Sequence, residues 1–133
     1  MTQQLYQWKS EVKDSELDIQ GIVNNSVYSV YMEHCRHKLL KSLGLDFTEL
    51  HKEGYDLVAR DCTIRFTHPL VSGDEFTVTT EFEFANKVKI LAHHKILREP
   101  DKKLIAKATY TIIGIDRNTN KLRLPEKLIA LLN

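Results

Sequence analysis

The residues best placed for chemistry on a carbonyl group surround Asp18, in the polar loop from Lys13 to Asn25. The pattern that follows predicts a helix from Ser26, so Asp18 is expected near free backbone N–H groups and the positive end of a helix dipole. Those N–H groups could polarise a carbonyl and hold the oxyanion formed on attack, with Asp18 as general base or nucleophile. A solvated loop acid or a helix cap is the ordinary alternative for Asp18.

Polar residues at the start of the helix are further candidates. Asn24 or Asn25 can cap the helix, and the other asparagine is then a candidate contact for a substrate. Glu33 could orient a substrate or a water molecule, but it could equally form a helix-surface ion pair with Arg36 or His37. The sequence alone leaves both readings of Glu33 open.

The histidines and cysteines do not form a metal site in the sequence. His93 and His94 are neighbours on a predicted strand, so they point to opposite faces and cannot share one ion. Cys35 and Cys62 lie in apolar-patterned stretches without metal-ligand spacing and are predicted to be reduced core residues. The remaining histidines also lack ligand spacing: His34, His37, His51 and His68. We therefore expect no metal.

Hydrophobic periodicity predicts the elements that position these residues. An apolar stripe at spacings of three and four predicts a long helix over 26–43, ended by Gly44, and a short amphipathic turn follows over 46–52. A final helix is predicted from Pro125. Alternation with a period of two predicts strands over 5–12, 55–67, 75–85, 87–98 and 103–116.

One long helix and a run of antiparallel strands predict an α+β fold, with a curved sheet wrapped around the helix. The length of 133 residues indicates a single domain over 1–133. One sheet face would stay uncovered in a single chain, so a homodimer or homotetramer is expected.

Composition excludes several classes of protein. Hydrophobic residues make up 42% and charged residues 28%, which is typical of a globular domain. The net charge is only +1, so neither nucleic acid nor an anionic membrane is an expected partner. The chain has no run of eighteen apolar residues, and its first residues lack a basic region before an apolar run. A cytoplasmic location is therefore expected.

Two sequence blocks resemble the hotdog-fold acyl-CoA thioesterases, in particular their 4-hydroxybenzoyl-CoA thioesterase-like and YbgC-like branch. The first block is ELDIQGIVNNSVYSVYMEHCR, and the second is IRFTHPLVSGDEFTV. The first places an acid, a glycine, asparagines, aromatic residues and a glutamate in the family's order: Asp18, Gly21, Val23, Asn24, Asn25, Tyr28, Tyr31 and Glu33. Many relatives carry a histidine in this loop where the present chain has Ile22 or Asn25, so no catalytic histidine is expected there.

The resemblance implies the hotdog fold and hydrolysis of an acyl-CoA thioester to a free acid and coenzyme A. Asp18 would be the catalytic carboxylate. Coenzyme A would be part of the substrate, so no cofactor is expected. The implied substrate contacts are Val23, Asn24, Asn25 and Glu33. Lys87 and Lys89 would supply positive charge for the phosphates of coenzyme A, although a solubilising sheet edge explains them equally well.

Two other functions are compatible with this pattern. A hotdog dehydratase would act on a hydroxyacyl thioester, but it needs a histidine that the Asp18 loop lacks. A non-catalytic protein that binds acyl thioesters, as a sensor or scaffold, would keep the fold and the pocket without turnover. The acyl group, the role of Asp18 as base or nucleophile, and the choice between dimer and tetramer stay open.

Overall fold

The computed structural model describes residues 5–133, which form helices and a large sheet. In chain order the elements are β1 (Tyr6–Glu11), a 3-10 turn (Asp14–Glu16), α1 (Asn25–Ser42), α2 (Phe47–Lys52), β2 (Tyr55–Phe66), β3 (Glu75–Phe84), β4 (Lys89–Glu99), β5 (Lys103–Asp116), β6 (Lys121–Leu122) and α3 (Glu126–Leu132). Among these residues, no helix is long and apolar enough to cross a membrane. The single domain over 1–133 stays a prediction.

The sheet is antiparallel and curls around α1, as predicted. Its strand order is β1-β3-β4-β5-β2, and the short strand β6 pairs with β5. In the part of the chain that the structure describes, β2 pairs only with β5, so its other edge is open. The predicted α+β hotdog fold is confirmed.

Helix α1 buries one face in the concave side of the sheet. Asn24 caps its start, because Asn24 Oδ1 accepts a hydrogen bond from Ser26 N at 3.0 Å. The chain leaves the helix at Gly44, whose φ of +79° lies in the left-handed region that glycine adopts without strain. The buried face contains five residues of the predicted stripe, namely Tyr28, Tyr31, Met32, Cys35 and Leu39, and also Leu40 and Arg36, although Arg36 was expected at the helix surface.

The structure corrects two details of the sequence prediction. Cys35 is buried as expected, but Cys62 is exposed. Its apolar-patterned stretch belongs to the edge strand β2, which neighbouring strands cover on one side only. Pro125 caps α3 rather than starting it. Neither the 3-10 turn nor β6 was predicted, because both are too short to show a hydrophobic period.

Gly114 of β5 lies directly under the chain that leads to α3. A Cβ at this position would overlap the carbonyl oxygen of Arg123 and lie 2.7 Å from the Cα of Leu124. We expect Gly114→Ala to lower the free energy of unfolding by about 1–3 kcal/mol, because the main chain above it must move. Urea unfolding measures this loss.

Hydrogen exchange separates this clash from a general effect of alanine. Arg123 N donates to Gly114 O, and Leu124 N donates to Lys87 O, both at 2.9 Å. In Gly114→Ala these two amides should exchange faster. Gly44→Ala is the control, since no atom lies within 4 Å of the added Cβ and only the positive φ is strained. Unchanged exchange at Arg123 and Leu124 in Gly114→Ala would contradict the explanation.

Candidate active site

Asp18 lies at the head of a tight turn that its own side chain stabilises. Asp18 N donates to Ile22 O at 2.8 Å, and Gly21, at a φ of +80°, donates its N–H to Asp18 O at 3.0 Å. Asp18 Oδ1 accepts from Gln20 N at 2.8 Å and more weakly from Ile22 N at 3.4 Å. No hydrogen bond from residues 5–133 reaches Oδ2, so this oxygen is left for chemistry.

Long-range contacts hold this turn against the rest of the protein. Val23 N donates to Leu70 O at 2.9 Å, and Ile22 forms an isolated β-bridge with Val71. On the other side, Asn24 N donates to Glu16 O at 3.0 Å. The connection between β2 and β3 therefore fixes the position of Asp18.

The N-terminus of α1 offers fewer free donors than the sequence led us to expect. The side chain of Asn24 caps Ser26 N, and Val27 N donates to Asn24 O at 2.9 Å. The N–H of Asn25 has no acceptor among residues 5–133. A single backbone donor, rather than a group of them, is thus left at this end of the helix.

A cleft of about 230 Å³ opens beside the turn, and we call it the Asn25 cleft. The Asp18 turn contributes Ile22 to its wall, and α1 contributes Asn25. The remaining lining residues are Val23, Tyr28, Phe66, Thr67, His68 and Pro69. Two predicted substrate contacts, Val23 and Asn25, therefore lie together in this cleft next to the Asp18 turn, although Val23 is almost fully buried.

Sequence reasoning missed two polar side chains of the Asn25 cleft. Tyr28 lies on the apolar face of α1 and is buried, and its hydroxyl oxygen accepts from Leu70 N at 3.1 Å. Burial raises the pKa of Tyr28, so the phenol stays neutral and can donate its hydrogen. His68 is exposed, and its Nδ1 lies 3.3 Å from Leu104 O, which leaves Nε2 without a hydrogen-bond partner among residues 5–133. The sequence signal for a role of His68 was its position in the second block, IRFTHPLVSGDEFTV.

Asp18 and Asn24 do not line the Asn25 cleft, although their neighbours Ile22, Val23 and Asn25 do. Glu33, Lys87 and Lys89 lie away from the cleft within the same chain. Glu33 is exposed two turns further along α1, roughly 12 Å from Asn25, and forms no ion pair within residues 5–133. Lys87 and Lys89 lie at the turn from β3 to β4, at the far end of β3 from Glu75 and Asp74. That strand of ten residues is about 33 Å long. One chain therefore does not bring these lysines to Asp18.

A second group of polar side chains is buried between α1 and the sheet. Arg36 Nη1 lies 3.1 Å from His94 Nε2, and Thr80 Oγ1 lies 2.8 Å from His94 Nδ1. The guanidinium also stacks on Tyr110, with Cζ 4.2 Å from the ring centroid. Burial, with a smaller contribution from the charge of Arg36, lowers the pKa of His94 to about 3. The imidazole is therefore neutral at physiological pH.

The low pKa of His94 makes stability depend on pH. In the unfolded chain His94 binds a proton below its ordinary pKa of 6.5, whereas in the folded protein it does so only near pH 3. The contribution of neutral His94 to the free energy of unfolding is thus complete above pH 6.5 and is lost as the pH falls towards 3. As the pH is lowered below 6.5, the free energy of unfolding should fall in both proteins. We expect the wild type to lose about 1.4 kcal/mol more per pH unit than His94→Gln.

Urea unfolding of both proteins at pH 7.0, 5.5 and 4.5 measures this difference. The variant removes the titration of His94, while the carboxylates that also titrate in this range are common to both proteins. Parallel stability curves would show that His94 is not held in its neutral form.

Comparison with known proteins decides the family. Residues 12–132 match the family described as the Thioesterase-like superfamily. The chain belongs to this superfamily. The two sequence blocks predicted that the chain is related to the hotdog-fold acyl-CoA thioesterases, and the match to this superfamily confirms the relationship.

Individual members show how widely the likeness extends. The chain is 33% identical over 118 residues to the chloroplastic acyl-acyl carrier protein thioesterase ATL3 of Arabidopsis thaliana, covering 89% of this chain and 62% of the relative. It therefore spans less than two thirds of that protein. It is 26% identical to the long-chain acyl-CoA thioesterase FadM of Escherichia coli, covering 86% of each chain.

A solved structure supports the fold of this superfamily member. Slr0204, a 1,4-dihydroxy-2-naphthoyl-CoA thioesterase from Synechocystis, superposes with a TM-score of 0.90 at 18% identity. The alignment covers 97% of this chain and 96% of Slr0204.

Proposed function

We propose that the protein hydrolyses an acyl-CoA thioester to a free acid and coenzyme A, with Asp18 driving the attack. One observation carries the proposal: Asp18 is held by its own turn with Oδ2 unbonded, next to a cleft lined by Asn25, whose N–H has no acceptor among residues 5–133. A carboxylate can activate water or attack a thioester carbonyl itself, and an N–H donor can stabilise the oxyanion that forms.

Asp18 acts in one of two ways. As a general base, Oδ2 takes a proton from water while the water oxygen bonds to the carbonyl carbon, and the C–S bond then breaks to release the thiolate. As a nucleophile, Oδ2 itself bonds to that carbon, the thiolate leaves, and water opens the mixed anhydride. A thiolate is a good leaving group, so neither route needs a strong general acid.

The N–H of Asn25 receives the negative charge that develops on the carbonyl oxygen. In well-studied enzymes, one such donor lowers the barrier by about 3–4 kcal/mol. The dipole of α1 adds to this effect, because its positive end lies at Asn25. The hydroxyl of Tyr28, which lines the same cleft, is a further donor for an oxygen bound there.

Thiol release measured over several thioesters tests the proposal. The set contains short, long and aromatic acyl-CoAs and one long acyl group on acyl carrier protein, because the relatives are named for both carriers. We expect turnover with at least one of the CoA thioesters. Tight binding without thiol release would contradict hydrolysis and support the sensor.

A homodimer is the assembly that we propose for this site. The open edge of β2 carries the exposed apolar residues Val58 and Phe66, which pairing with a second copy would cover. The predicted CoA contacts Lys87 and Lys89, and also Glu33, would then serve the Asn25 cleft of the other protomer. Stacking of two dimers into a homotetramer, and a cytoplasmic location, rest on the sequence alone.

Light scattering after size exclusion tests this assembly. We expect a dimer or tetramer for the wild type and a shift towards monomer for Val58→Lys, because a lysine on the paired edge would be desolvated. Leu122→Lys is the control, since Leu122 is 50% exposed and lies on β6. A monomeric wild type with full turnover would overturn the dimeric site.

A further inference from the structure

A second cleft lies against the middle of α1, away from the Asp18 turn. Its volume is about 310 Å³, within the range of small-molecule sites. Arg36 is roughly 16 Å along the helix axis from Asn25. We call this cleft the arginine pocket; its walls include Arg36, Leu40, Leu57, Phe82, Ile90 and Ile112.

Arg36 brings a positive charge into this cleft without an ion-pair partner among residues 5–133, and the carboxylate of Glu33 on the same wall acts on it only at longer range. Its exposed fraction is only 8%, and no carboxylate of residues 5–133 lies within ion-pair distance of it. Glu33 shares the pocket but is itself exposed to solvent. A buried charge that lacks a partner is costly, so the guanidinium favours an anion at this position.

The neighbours of Arg36 do not neutralise its charge. His94 is 2% exposed and neutral, and it offers Arg36 a single acceptor atom. Tyr110 offers the face of its ring, and its buried hydroxyl completes no well-oriented hydrogen bond with residues 5–133. Burial lowers the pKa of Arg36, whereas this hydroxyl raises it and so favours the charged form. The guanidinium therefore keeps N–H groups without an acceptor among residues 5–133.

We propose that the arginine pocket binds a carboxylate that carries an apolar tail, with the carboxylate on Arg36. The planar guanidinium matches a carboxylate, and the aliphatic and aromatic walls match a hydrocarbon chain. The inference goes beyond hydrolysis at Asp18 and does not depend on it. Fatty and aryl carboxylates are also the class of acid that the proposed hydrolysis releases, so the pocket provides a place for a product to bind.

Calorimetric titration with decanoate, decanol and decyltrimethylammonium tests the chemistry of the ligand. We expect decanoate to bind once per chain and about tenfold more tightly than decanol, because only the carboxylate pairs with Arg36. The cation should not bind measurably. Equal affinity for decanoate and decanol, or no binding of decanoate, would overturn the proposal.

Variants locate the site without disturbing the buried arginine. Ala59 lines the pocket and is exposed, so Ala59→Trp should fill the mouth and weaken decanoate binding about tenfold or more. Ala130→Trp makes the same replacement on the exposed face of α3 and should leave the affinity unchanged. Equal effects of these two variants would refute the location.

Asp18→Asn separates this inference from the proposed function, because it should keep decanoate binding even where it abolishes turnover. Loss of binding in Asp18→Asn would place decanoate at the Asp18 turn instead. A structure of the assembled protein with a carboxylate of a second copy on Arg36 would also overturn the proposal, since the charge would then already be paired.

Discussion

Replacing Asp18 by asparagine is expected to lower kcat for thioester hydrolysis by about 10²–10⁴-fold, with little change in KM. Asparagine keeps an oxygen that can accept from Gln20 N, so the turn that positions residue 18 should survive. The amide cannot take a proton from water or attack a carbonyl. Thiol release at saturating substrate measures kcat, and urea unfolding checks that the fold is intact.

Asp46 provides the matched control. Its Oδ1 accepts from Thr48 N at 2.8 Å, which is the same two-residue spacing and the same distance as at Asp18. It caps α2, whereas the turn of Asp18 contributes Ile22 to the wall of the Asn25 cleft. Asp46→Asn should therefore keep kcat near the wild-type value. Equal losses in the two variants would mean that Asp18 acts only by stabilising a turn.

Replacing Phe76 by alanine is expected to have the largest effect on stability, about 3–5 kcal/mol of the free energy of unfolding. Phe76 is fully buried, with its ring centroid 4.4 Å from that of Tyr31 and 5.9 Å from that of Trp8. Removing the ring leaves a cavity under α1. Urea unfolding measures the loss.

Phe84 on the same strand is the control, because it is only partly buried at the end of β3. Phe84→Ala should cost clearly less than Phe76→Ala. Activity should also fall in Phe76→Ala, since Tyr31 donates to Glu16 at 2.7 Å and Glu16 holds the start of α1 through Asn24. Equal losses of stability at the two positions would show that Phe76 does not belong to the core of the protein.

Local pattern was enough to predict most of the fold. The stripe of α1 and the alternation of β2 to β5 persist over many residues, and the observed boundaries lie within two residues of the predicted ones. The cap by Asn24 follows from a side chain and an amide two residues apart. Such features depend on neighbours in the chain, so a single sequence contains them.

The candidate site was predictable only in part, because its geometry depends on distant residues. The sequence identified Asp18 and Asn25 but not the contacts of Leu70 or the place of His68. It also did not reveal that Arg36, about three turns into α1, would be buried without a carboxylate as ion-pair partner. The separation of Lys87 from Asp18 follows from the length of β3, and a second chain would be needed to bring the two together.

Leu70 ties the ends of the candidate site together, since its carbonyl holds Val23 and its N–H holds the hydroxyl of Tyr28. An insertion or deletion between Thr67 and Asp74 would therefore shift the Asp18 carboxylate, the proposed reacting group, relative to the helix. The hairpin around Lys87 has no such tie to Asp18, so a change in its length would alter the proposed contacts with coenzyme A without moving that carboxylate. Among members of the superfamily, differences in loop length should accordingly be more frequent in the hairpin around Lys87 than between residues 67 and 74.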